Sequence, residues 1–187
     1  MTRSITIALL SLLLATPALA DKNQDKREKI DKMSQEVLAR LYEEQPETAN
    51  MVKDAEGYGV FSNIGINAFF ISAGGGNGVV RDNESGEKTY MNMGTAGVGI
   101  GLGVKDFRAV FVFHSRKALD NFLEYGWDFS GQADAAAKSG DKGDEGSIAA
   151  TVVNGVSIYQ LTENGLALQA TLQGTKYWKS KKLNTYN

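Results

Sequence analysis

Two periodicities divide this chain. Between Asp25 and Glu44 the apolar residues Ile30, Met33, Val37, Leu38, Leu41 and Tyr42 recur every three to four positions, which lines them along one side of an α-helix. From Gly57 onward the apolar positions recur every second residue, the alternation of a strand. Between the two regimes stands Pro46, whose fixed φ suits the first turn of a second, short helix ending near Ala55. Strands are predicted at 58–63, 67–73, 78–81, 88–93, 96–104, 107–114, 127–136, 150–161 and 166–175. One helix interrupts them, with Ser115 as N-cap, Leu119, Phe122 and Leu123 as its apolar face, and Gly126 as its stop.

Individual strands carry more information. Phe107, Ala109, Phe111 and Phe113 lie on one face of their strand and Val110 and Val112 on the other, so that strand is expected to be central and covered on both sides. Leu166, Leu168, Ala170 and Leu172 alternate with Gln169, Thr171 and Gln173, which predicts one buried and one wet face. Glu163-Asn164-Gly165 predicts a hairpin turn, whereas Asn154-Gly155 fits either a bulge or a second turn. The polar, Gly-rich stretch 139–146 reads as a loop. The fold class that follows is α+β: an antiparallel sheet, partly closed and barrel-like, with an N-terminal amphipathic helix and one or two short helices.

The first twenty residues belong to a different logic. Arg3 precedes an apolar run from Ile5 to Leu14, Thr16-Pro17 breaks it, and Ala18-Leu19-Ala20 offers small residues where a signal peptidase reads them. The run is too short for a bilayer, which needs roughly 20 residues. A secretory leader cleaved after Ala20 is expected, leaving a single domain over 21–187 with its core at about 30–175. The chain has no cysteine. That excludes a disulfide framework, a thiolate metal site, a cysteine nucleophile and acylation at the cleavage point. A periplasmic protein that is not a lipoprotein is the resulting expectation.

Charge narrows the function. With Arg3 removed, the 20 basic and 22 acidic residues become 19 and 22, a net of −3, without the basic balance of a nucleic-acid binder. In the N-terminal helix, Asp25–Lys29, Glu28–Lys32 and Glu36–Arg40 place each acid four residues before a base, so these bases are expected to be engaged within the helix. The chain's end differs. Lys176, Lys179, Lys181 and Lys182 flank Tyr177 and Trp178 with no acid from 176 to 187. Unpaired lysines beside aromatics suit a lipid headgroup layer, and they suit a solubilising tail equally well.

Candidate chemistry is sparse. Gly97, Gly99, Gly101 and Gly103 strip one strand face of side chains, which fits close approach of a helix, a backbone or a ligand. Gly74-Gly-Gly-Asn-Gly78 is followed by Val79-Val80 rather than Lys-Ser/Thr, and runs into a strand rather than a helix. It is therefore neither a P-loop nor a dinucleotide fingerprint, and no nucleotide cofactor is expected. Asp141, Asp144 and Glu145 lack the spacing of a calcium loop. His114 is the single histidine, which excludes a multi-histidine metal site, and Ser115 beside it would face away on a strand. No catalytic residue is assigned.

Four segments in order resemble the SYLF domain: 59–63 (GVFSN), 74–82 (GGGNGVVRD), the glycine alternation at 97–104 leading through 107–114 to 117–123 (KALDNFL), and the hairpin 159–174. The resemblance covers about residues 30–175. It implies a non-enzymatic domain that binds membrane lipids, phosphoinositides in eukaryotic members, with actin bound by fungal members. The chain departs from eukaryotic relatives in lacking SH-type and FYVE partner domains, and an exported bacterial protein would meet neither actin nor phosphoinositides. The resemblance thus implies lipid binding by a periplasmic relative; together with the C-terminal lysines it makes acidic phospholipid the expected partner, with an envelope protein-interaction module as the alternative.

Overall fold

A computed structural model describes residues 18–62, 75–95, 108–128, 151–162, 165–166 and 175–185. Helix α1 spans Ala18–Glu44 and α2 spans Thr48–Asp54. Strands β1 (Gly57–Ser62), β2 (Gly76–Asp82), β3 (Lys88–Thr95) and β4 (Arg108–Phe113) follow, then α3 (Arg116–Tyr125). The rest is β5 (Trp127–Asp128), β6 (Thr151–Val153), β7 (Val156–Thr162), β8 (Gly165–Leu166) and β9 (Thr175–Lys179). The fold is α+β, as the periodicities imply. The predicted strands at 67–73 and 96–104, with Gly97, Gly99, Gly101 and Gly103, and the loop at 139–146 lie outside the described residues.

Every strand pairing is antiparallel, in the order β5-β9-β3-β2-β1-β4-β7-β6 with β8 also on β7. The sheet curls into an open half-barrel. Asn154-Gly155 is a turn, not a bulge: both residues have positive φ, 51° and 79°, and they join β6 to β7 as a tight hairpin. The chain's end also differs from its sequence reading. Residues 175–179 form β9, which lies between β3 and β5, so the first part of the supposed tail is sheet.

Both faces of the sheet are covered, and alternation decides which side chain goes where. One face carries Phe61, Met91, Met93, Phe111, Phe113 and Tyr177, closed over by Ala118, Leu119 and Phe122 of α3. Its rings meet edge-on or tilted, with Phe111 centred 5.1 Å from Phe61 and from Tyr177, the arrangement aromatic quadrupoles favour. The other face carries Val60, Val110, Val112, Tyr159 and Leu161 under Val37, Leu38 and Leu41 of α1 and Val52 of α2. Residues 109–113 are all 0% exposed, so β4 is the doubly covered central strand its sequence predicts. Gly78 is bare because the Phe61 ring lies where its Cβ would stand.

Local signals hold the helices in register. Ser115 caps α3 by accepting from the Ala118 amide, and Gly126 ends it at φ 67°. Arg116 then ties the start of α3 to Glu56, Asp82 and Glu84. Its guanidinium holds the Asp82 carboxyl below the usual carboxylate range. Within α1 the ion pairs among the described residues are Lys32–Glu36 at 3.8 Å and Arg40–Glu44 at 2.9 Å, each with base before acid. Lys32 thus pairs toward the C-terminus rather than back to Glu28.

Candidate anion-binding site

Strand β9 sorts the residues that the sequence groups together. Tyr177 points into the α3-side core and is 1% exposed. Burial pushes its hydroxyl pKa up, so it is a core phenol rather than a headgroup anchor. Trp178 points to the α1 side and stays 41% exposed. Its indole rests on the bare backbone of Gly94, where a Cβ would come within 3.0 Å of the ring. Lys176 is paired with Asp128 of β5 at 3.0 Å, so it is not the free cation its sequence neighbourhood suggests. Lys179 shares the face of Tyr177 and lines a small cavity with Asp82, Glu87 and Leu123.

Beyond β9 the chain turns at 181–184 and is fastened to both β3 and α1. The Asn184 side chain accepts from the Tyr90 amide at 2.8 Å and donates to the carbonyls of Tyr90 and Ser180 at 2.7 and 2.8 Å. It takes the place of a peptide group at the margin of the sheet. Leu183 is buried beside Ile30, Val79 and Tyr90. From α1, Arg27 donates to the carbonyls of Leu183 and Thr185 at 2.8 and 2.9 Å, while Asp31 accepts from Lys88 at 2.8 Å. The N-terminal helix and the C-terminal turn are therefore one structural unit.

Between them lies a cavity of about 370 Å³, lined by Asn23 and Lys26 of α1, Asn92 of β3, and the run from Trp178 to Leu183. No carboxylate is among its lining residues in the described part of the chain. Lys26, Lys181 and Lys182 make no ion pair among the described residues. Partial burial, and then the charge of Lys182, push the Lys26 pKa down, as expected where like charges share a poorly solvated space. Asn77 donates to Asn92 Oδ1 at 3.0 Å, leaving the Asn92 amide hydrogens as its remaining polar contribution. This arrangement attracts an anion and offers it apolar walls in Trp178 and Leu183.

Lys26 is the contributor that sequence reasoning missed. A signal was present, since it stands outside every acid–base pair assigned to its helix, with Lys22 and Ile30 four residues to either side. What no local pattern contains is its partner, more than 150 residues away. His114 lies elsewhere: its Nε2 is 2.7 Å from Ser157 Oγ, and no carboxylate among the described residues bonds it. Ser115 is occupied as the cap of α3.

The described residues thus form a helix-flanked antiparallel sheet with a lysine-lined surface cavity. The family model described as Ysc84, Las17-binding protein actin regulator, matches residues 94–186. Beta cell expansion factor A of Aeromonas veronii is 31% identical over 160 residues, covering 86% of this chain and 59% of that relative. The chain thus spans less than two thirds of that relative's length. It belongs to the SYLF, or Ysc84, family, a family of binding domains associated with lipid or actin.

Proposed function

We propose that this protein is a non-enzymatic, periplasmic lipid-binding domain that docks on membranes rich in acidic phospholipid. The observation that carries this reading is the cavity flanked by Lys26, Lys181 and Lys182 beside a half-exposed Trp178, with no carboxylate among its described lining residues. A lysine near an anionic surface contributes about 1 kcal/mol, and an interfacial indole suits the headgroup layer. Net charge on the whole chain is negative, so the positive cluster gives the protein one preferred orientation toward such a surface. The leader expected to end at Ala20 would deliver the protein to the envelope.

Co-sedimentation with phosphatidylglycerol-containing vesicles across a salt series tests the reading. Retention that falls with salt, is absent on phosphatidylcholine and drops at least tenfold in Lys181→Glu/Lys182→Glu is the expected result. Equal retention of that variant, or equal binding to phosphatidylcholine, would contradict it. Capture of a defined envelope protein by a chain that ignores every vesicle would instead mark an interaction module.

A further inference from the structure

The cavity is more selective than a charged surface needs to be. Attraction to a bilayer requires only exposed lysines, and Lys53 or Lys117 would serve as well as any others. Here cations from two distant segments, Lys26 on α1 and Lys181 and Lys182 in the C-terminal turn, converge on one space. Its volume of about 370 Å³ lies in the range of small-molecule sites. Neutral polar groups come from Asn23, Asn92 and Ser180, and apolar walls from Trp178 and Leu183. The clasp of Arg27 and Asn184 fixes the two cationic segments relative to one another, which preorganises the site.

Ligand charge follows from the same geometry. Lysines gathered at one cavity with no carboxylate among its described lining residues repel one another, and the relief an anion brings scales with its charge. A carboxylate or a phosphodiester carries one negative charge. A phosphomonoester carries nearly two at neutral pH, with three acceptor oxygens.

We propose that the cavity between α1 and the C-terminal turn is a receptor for one terminal phosphate, a phosphomonoester on a compact polar group, gripped by Lys26, Lys181 and Lys182. This deepens the membrane reading above and rests on it only for the source of the phosphate, which is either a lipid headgroup or a soluble phosphorylated compound. Because the ligand bridges α1 to the turn, occupancy also tightens that junction.

Calorimetric titration of the mature chain with glycerol 3-phosphate and with its diester glycerophosphoglycerol tests the proposal. It is paired with sedimentation on phosphatidic acid and phosphatidylglycerol vesicles of equal zeta potential. Expected are one saturable site for the monoester, at least tenfold tighter than for the diester, and preference for phosphatidic acid vesicles. Lys26→Gln and Lys182→Gln should each weaken the monoester about tenfold, and Lys117→Gln should leave it unchanged. A monoester site without vesicle retention would uphold the receptor, assign it a soluble ligand and remove the membrane reading. Equal retention on both vesicle types with no saturable soluble ligand would overturn the receptor while leaving the membrane reading intact. No binding in any arm would sink both.

Discussion

Tyr177 and Trp178 are adjacent in the chain and do unrelated work. Strand alternation sends the first into the α3-side core and the second to the rim of the lysine cavity. Their substitutions should therefore separate. Tyr177→Ala should cost about 3–5 kcal/mol in urea unfolding, the range for an aromatic removed from a packed core. Trp178→Ala should leave unfolding within about 1 kcal/mol and reduce vesicle retention several-fold. A second test at this scale concerns Asp82, whose carboxyl Arg116 holds below its ordinary range. A depressed carboxyl contributes stability that is full above its unfolded pKa of about 4 and is lost as pH falls through the folded value. Asp82→Ala should lower Tm by roughly 5 °C at pH 7. In scans below pH 4 the two proteins should converge; a gap that stays constant with pH would refute the assignment.

The elements themselves were largely legible. Ser115 and Gly126 mark the ends of α3, and double-sided apolarity marks β4 as central, because those signals lie within a few residues of what they specify. The destination of the chain's last residues was not legible. Lysines at 176–182 read as a cluster in sequence, but β9 pairing divides them between two faces and gives Lys176 to Asp128. The clasp depends on contacts between residues 94 and 156 positions apart, Asn184 with Tyr90 and Arg27 with Leu183, and no periodicity encodes these. Arg27→Ala removes two charge-assisted bonds to the carbonyls of Leu183 and Thr185. It should destabilise the fold by about 1–3 kcal/mol and speed amide exchange at 181–185 while leaving 116–125 unchanged. Uniform exchange across both segments would show that the turn is not independently fastened by α1.

At the scale of the whole molecule, the sheet has one face sealed by α3 and an aromatic core, and one face roofed by α1 and α2 with a cationic cavity at its end. The net charge is negative while the cavity is positive, so the proposed docking on an anionic surface would be directional and salt-sensitive. Hydrogen exchange of the mature chain, free and bound to phosphatidic acid vesicles, reads that orientation directly. Protection gathered at 22–27 and 178–185, with the α3 segment 116–126 unchanged, is the result the cavity requires. Protection centred on 116–126, or none at either end of the chain, would place the binding surface elsewhere.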